Sequence, residues 1–105
     1  MIKKVNQSTF DREITNIEGI CLVDFYATWC GPCMRLSPIL EEIANSRSDY
    51  SILKVDVDEN PEISRRHQID TIPTICIYKN GKLVEKQVGF KNKEQIIKLI
   101  EKYSD

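Results

Sequence analysis

No stretch of this chain approaches the roughly 20 consecutive apolar residues that carry a helix across a bilayer, so no membrane-spanning helix is expected. Residues 1–8, Met-Ile-Lys-Lys-Val-Asn-Gln-Ser, turn polar too soon to contain the apolar core of a signal peptide. A predominance of one charge is missing as well. Fifteen Lys and Arg are interspersed with sixteen Asp and Glu for a net charge of -1, which leaves no basic stripe for nucleic acid. The four glycines, at positions 19, 31, 81 and 89, never group into a dinucleotide-binding fingerprint, so nothing here binds flavin or nucleotide. There is one histidine, whereas a zinc site takes about four ligands. Beyond Cys30 and Cys33 the remaining candidates, Cys21, Cys76 and His67, stand isolated in the sequence. No repeat, linker or low-complexity segment interrupts the 105 residues. They predict a single domain, 1–105, large enough to bury most of its core without disulfide staples. Two of the four cysteines lie inside apolar strand patterns, and the count fits a reducing, cytoplasmic setting better than a secreted disulfide framework.

What the chain does have is Ala27-Thr28-Trp29-Cys30-Gly31-Pro32-Cys33. A nearly continuous apolar run over 20–27 leads into it and a helical pattern from about residue 32 leads out, so the two thiols sit where a buried strand becomes a helix. Unpaired N–H groups and aligned peptide dipoles favour negative charge there, which stabilises a Cys30 thiolate over the thiol. Pro32 suits the first helical turn, where its missing N–H costs nothing. Gly31 keeps the space above the sulfurs clear, and a spacing of two residues lets the pair close a disulfide. A purely structural disulfide in so small a ring restrains the unfolded chain less than a long loop does. Two thiols serving only as core filling fit poorly with Trp, Gly and Pro at a helix mouth. Redox chemistry is the reading these residues favour.

Taken in order, residues 2–5 predict a short strand, and Ser8 with Asp11 predicts a capping box opening a helix to about Asn16. The run 20–27 is a central strand covered on both faces, interrupted by Asp24, whose burial would raise its pKa unless a cation or hydrogen bonds compensate. A second helix over 32–46 turns Cys33, Leu36, Leu40, Ile43 and Ala44 inward, with a kink expected at Pro38. Residues 52–57 predict a strand on which Lys54 can meet Asp24 from the neighbouring position. Asn60-Pro61 opens a short helix to about His67, which beside Arg65 and Arg66 reads as a partner of the helix C-terminal dipole rather than a catalyst. Residues 75–79 and 83–88 form a hairpin through Asn80-Gly81. Asn92 with Gln95 caps a last helix carrying Ile96, Leu99, Ile100 and Tyr103 on one side. The order βαβαβαββα predicts an α/β fold: a central mixed five-stranded sheet flanked by helices on both faces. Cys21 lies roughly 20 Å along its strand from the motif, at about 3.3 Å per residue, and Cys76 lies within an apolar strand. Both are expected as core thiols.

The Trp29-Cys30-Gly31-Pro32-Cys33 segment, with Val23-Asp24-Phe25, Lys54-Val55-Asp56-Val57-Asp58, Ile72-Pro73-Thr74, Lys79-Asn80-Gly81 and Val88-Gly89, resembles the thioredoxin family almost from end to end. The resemblance implies a thioredoxin fold and a protein-disulfide reductase that binds no cofactor of its own. It draws electrons from NADPH through a flavin-containing thioredoxin reductase and acts on disulfide-bonded client proteins as a monomer. Pro73 is expected to follow a cis peptide bond and to face the cysteines.

In such a protein Cys30, exposed at the helix mouth, attacks a client disulfide and Cys33, more buried, resolves the mixed disulfide. Asp24, acting through water, is the base that the pattern supplies for Cys33, and Lys54 tunes it. The plainer reading of Asp24 and Lys54 is an ion pair satisfying two partly buried groups. Trp29, Gly31, Pro32, Ile72, Pro73 and Gly89 are the expected client-binding rim, with Trp29 also readable as ordinary rim packing. Met34, Phe90 and Asp70 depart from common members of the family, and Asp70 is expected to disfavour acidic clients. Two other functions stay in play: an oxidase or isomerase using the same pair, and a binding module that holds partners on the rim without turnover. Gly31-Pro32 resembles the reducing members.

Overall fold

A computed structural model of the chain describes residues 1–47 and 49–104. Five strands, β1 (Ile2–Lys4), β2 (Ile20–Tyr26), β3 (Ser51–Asp56), β4 (Thr74–Lys79) and β5 (Lys82–Val88), combine with four helices in the order βαβαβαββα. These are α1 (Phe10–Asn16), α2 (Gly31–Ser46), α3 (Pro61–Arg66) and α4 (Lys93–Tyr103). The sheet order is β1-β3-β2-β4-β5, with β2 parallel to β3 and antiparallel to β4, so the expected mixed sheet forms with β2 at its centre.

Every residue of β2 is buried because helices cover both faces. Side chains alternate between the faces of a strand. Cys21, Val23 and Phe25 therefore pack with Phe10 and Ile14 of α1 and Ile63 of α3, while Ile20 and Leu22 pack with Leu36, Leu40 and Ile43 of α2 and Ile96 and Ile100 of α4. Leu99 and Tyr103 line the edge of the second cluster, and Ala44 is only partly covered. Asp24 alternates with Leu22 on the even side of β2 and so faces α2.

At the local level, Asn80 and Gly81 take φ of 50° and 83°, the left-handed pair that a two-residue hairpin needs. Asn80 also exchanges two bonds with Gly19, its N–H reaching the Gly19 carbonyl at 2.9 Å and its Oδ1 accepting from the Gly19 N–H at 2.7 Å. Asn92 and Gln95 form the reciprocal capping box at the start of α4. The box expected at Ser8 and Asp11 does not form. Thr9 is the α1 N-cap without a side-chain capping bond, and Asn6 Oδ1 instead accepts from the Ser8 N–H, the Ser8 hydroxyl and the Thr9 N–H. An amide two residues upstream is the better-placed acceptor, and it leaves Ser8 as a donor. Helix α2 runs through Pro38 for 16 residues, and its first turn begins at Gly31, one residue before the expected start.

Candidate functional site

Helix α2 begins where β2 ends, and Cys30 is its N-cap. The Cys30 sulfur accepts the backbone N–H of Cys33 at 3.2 Å, so an otherwise unpartnered amide of the first turn is aimed at it. Cys30 and Cys33 are joined as a disulfide, their Cα atoms 5.2 Å apart. The sulfurs lie in a small apolar cluster with Tyr26 and Ala27, flanked by Val57 and Ile72, and Cys30 Sγ is 3.9 Å from the Ile72 carbonyl oxygen. Cys30 was expected to be exposed at the helix mouth, but as half of the disulfide it is 5% exposed, against 1% for Cys33. Neighbouring chain covers both sulfurs while Gly31 and Pro32, in the same turn, stay open to solvent.

The rim residues converge from three segments. Trp29 is 71% exposed, its indole Nε1–H donating to Asp58 Oδ2 at 2.7 Å, so the ring is held at one end and free over its faces. The Ile72–Pro73 peptide bond is cis. Pro73 offers its carbonyl to the Gly89 N–H at 2.8 Å, which ties the loop before β4 to the turn after β5. Gly89 has φ of 96°, a conformation that favours glycine, and no atom stands where its Cβ would be. Met34 and Asp70 are exposed, and the Arg35 guanidinium lies 5.5 Å from the centre of the Phe90 ring.

Asp24 and Lys54 are register partners on β2 and β3, as expected, yet the ion pair does not form. Neither Asp24 oxygen has a hydrogen-bond partner among the described residues. Lys54 Nζ donates to Ser37 Oγ at 3.0 Å and sits 4.8 Å from the centre of the Tyr26 ring. Burial pushes the Asp24 carboxyl up to about 7, and the positive charge of Lys54 offsets only part of that.

Cys21 and Cys76 are free thiols packed on the opposite face of the sheet, where burial pushes them up to about 12 and about 11. His67 is no cationic partner of the α3 dipole. It is buried, Nδ1 bonding the Ile63 carbonyl at 2.9 Å and Nε2 meeting the Tyr78 hydroxyl, and burial lowers its pKa. A neutral ring with a proton on Nδ1 satisfies both contacts. No group of three His, Cys, Asp or Glu side chains suited to a metal ion occurs among the described residues, nor does a helix long and apolar enough to cross a membrane.

The thioredoxin family model matches residues 1–102. The chain belongs to the thioredoxin family. It is 44% identical to the thioredoxin of Listeria monocytogenes over 104 residues, spanning 98% of this chain and 99% of that protein. It is 47% identical to the thioredoxin of Staphylococcus saprophyticus over 106 residues, 97% of each. Among solved structures, a point-mutant thioredoxin from Halobacterium salinarum superposes with a TM-score of 0.90 at 34% identity, covering 99% of this chain and 91% of the other. The thioredoxin of Plasmodium falciparum superposes at 0.87 with 40% identity, covering 97% and 99%. The fold is the thioredoxin fold, and with the Cys30–Cys33 pair in the family's Cys-x-x-Cys position the chain is a thiol-disulfide oxidoreductase, a protein-disulfide reductase of the thioredoxin type.

Several contacts of this thioredoxin site have no counterpart in the sequence reading. Asp58 as the anchor of Trp29, Ser37 as the acceptor of Lys54, and the stacking of Arg35 on Phe90 each join different segments of the chain. Only Ser37 carried a signal, since it lies four residues after Cys33 on α2 and hence on the same side of the helix.

Proposed function

We propose that this domain, 1–105, reduces disulfides of client proteins with Cys30 as nucleophile and Cys33 as resolving thiol. The observation that carries this is the asymmetry of the pair. The Cys30 sulfur receives a helix N-terminal N–H, while Cys33 is sealed beneath it. The reduced Cys30 thiolate attacks one client sulfur. The client S–S bond breaks, its electron pair leaving with the distal sulfur, and a Cys30–client disulfide forms. Cys33 then gives its proton through water to Asp24, and its thiolate attacks the Cys30 sulfur. The mixed disulfide breaks, its electron pair leaving with the client sulfur, and the Cys30–Cys33 bond closes. Two electrons have passed to the client, and its two thiolates are protonated, one by the proton that Asp24 took from Cys33 and one from water.

An acid group near 7 is matched to that proton transfer at neutral pH, because it is ionised often enough to accept and basic enough to hold. Lys54 tunes it. Trp29, Gly31, Pro32, Ile72, Pro73 and Gly89 form the groove for extended client segments. The oxidised pair is returned to the dithiol by a flavin-containing thioredoxin reductase using NADPH, with both cofactors held by that partner. The protein works as a cytoplasmic monomer. The test is a pair of substitutions: Cys30→Ser abolishes reduction of a disulfide-bonded client, and Cys33→Ser accumulates a covalent Cys30–client adduct visible by mass spectrometry. Normal turnover by Cys33→Ser without an adduct refutes the two-step route.

A further inference from the structure

Register partners on adjacent strands project to the same face of a sheet, so Asp24 and Lys54 both leave β2 and β3 toward α2. An ammonium placed there ordinarily pairs with the carboxylate, because an opposite charge is the most direct compensation for burial. In this chain it does not. Both Asp24 oxygens are without partners among the described residues, and the ammonium rests on the Ser37 hydroxyl at 3.0 Å with the Tyr26 ring beside it. Ser37 sits one turn beyond Cys33 along the same side of α2. The other charges around the pair are already committed. Lys4, the register partner of Lys54 on β1, is paired with Glu59 at 2.9 Å, and Asp56 Oδ1 accepts the Asp58 and Glu59 N–H groups. From β4, Asp24 meets Ile75, which does not titrate. Cys33, once reduced, is the titratable group that α2 brings, and Tyr26 the one from β2.

We infer that Ser37 is a positioning residue: its hydroxyl holds the Lys54 ammonium off Asp24 and so leaves that carboxyl free to take up a proton. The inference rests on the reading of Asp24 as the base for Cys33. Burial alone carries Asp24 well above the ordinary range. An ammonium moved into direct contact with the carboxylate lowers it by about 1–3 in pKa, which would turn Asp24 toward the ionised half of a salt bridge at neutral pH. A serine hydroxyl is a sufficient alternative acceptor because it bonds the charged donor where Lys54 is only half-buried.

The experiment is titration of the Asp24 carboxyl carbon by NMR in the reduced full chain, in the parent and in Ser37→Ala, Ser37→Thr, Lys54→Met and the Ser37→Ala/Lys54→Met double variant. Ser37→Ala should lower the Asp24 midpoint by about 1 in pH or more, a tenfold loss of proton affinity. Ser37→Thr, which keeps a hydroxyl, should restore it, and Ser37→Ala should have no effect once Lys54 is Met. An unchanged or raised midpoint in Ser37→Ala overturns the inference, as does an equal shift without Lys54. The pH profile of client release by Cys33, measured on the same proteins, separates the two readings. If it follows the Asp24 midpoint, both stand. If the midpoint moves while the release profile does not, Ser37 still positions Lys54 and Asp24 is not the base.

Discussion

A buried carboxyl without a hydrogen-bond partner makes this fold less stable as pH rises, and the size of the effect follows from Asp24. Its ordinary value of 3.8 is pushed up to about 7 in the folded chain. Below about pH 4 the group is protonated whether the chain is folded or not, and it contributes nothing to the pH dependence. Between about 4 and 7 the folded state holds the proton and the unfolded state has lost it, so stability falls with rising pH and levels off above 7. The gap corresponds to about 4 kcal/mol, at about 1.36 kcal/mol per pH unit. Asp24→Asn keeps the shape and removes the titration. The buried amide brings its own fixed cost of about 1–3 kcal/mol, which offsets the whole curve without changing its slope. Urea unfolding of the oxidised protein, in which the disulfide cysteines do not titrate, should therefore show the stability of Asp24→Asn rising relative to the parent by about 4 kcal/mol between about pH 4 and pH 8. Taking the difference cancels every other titrating group. A difference that stays flat across that range refutes the placement of Asp24 as a buried, uncompensated acid.

His67 works in the opposite direction. Its folded value is held below the ordinary 6.5, so in the Asp24→Asn background stability should fall as pH drops below about 6.5. His67→Phe should abolish that loss while costing about 1–3 kcal/mol at about pH 8 through the stranded Tyr78 hydroxyl, both read from unfolding midpoints. Trp29→Phe removes the donor to Asp58 but little buried surface, so stability should change by less than about 1.5 kcal/mol. KM for protein clients should rise several-fold while the rate with a small disulfide holds, and equal losses on both substrates would place Trp29 outside the client groove.

The fold was legible because its signals are local. Apolar residues continuous over β2 mark a strand covered on both faces, Asn80-Gly81 marks the hairpin, and Asn92 with Gln95 marks the start of α4. Each depends on residues within a few positions of one another. Cys30 and Cys33 were legible for the same reason, since a strand-to-helix junction puts the first sulfur on the helix N-terminus. Choices among side-chain partners were not. Position alone set Lys54 beside Asp24, but rotamer and burial sent its ammonium to Ser37, a residue 17 positions away. Asn6 took the role that Ser8 was expected to play, and His67 turned inward to Tyr78 instead of outward along α3. Those outcomes depend on which acceptor the packed chain leaves within reach, and spacing does not encode that.

If Cys30 and Cys33 form a couple used to reduce other disulfides, the equilibrium of that couple against mixtures of reduced and oxidised glutathione tests it most directly, with the two states quantified after acid quenching and alkylation. A reductant keeps its own disulfide closed even when reduced glutathione is in large excess, because its dithiol gives up electrons more readily than glutathione does. The dithiol should therefore appear only at glutathione ratios more reducing than those that open ordinary oxidant pairs. A couple that stands open as the dithiol in an oxidising glutathione mixture would contradict the account and assign the pair to disulfide formation instead.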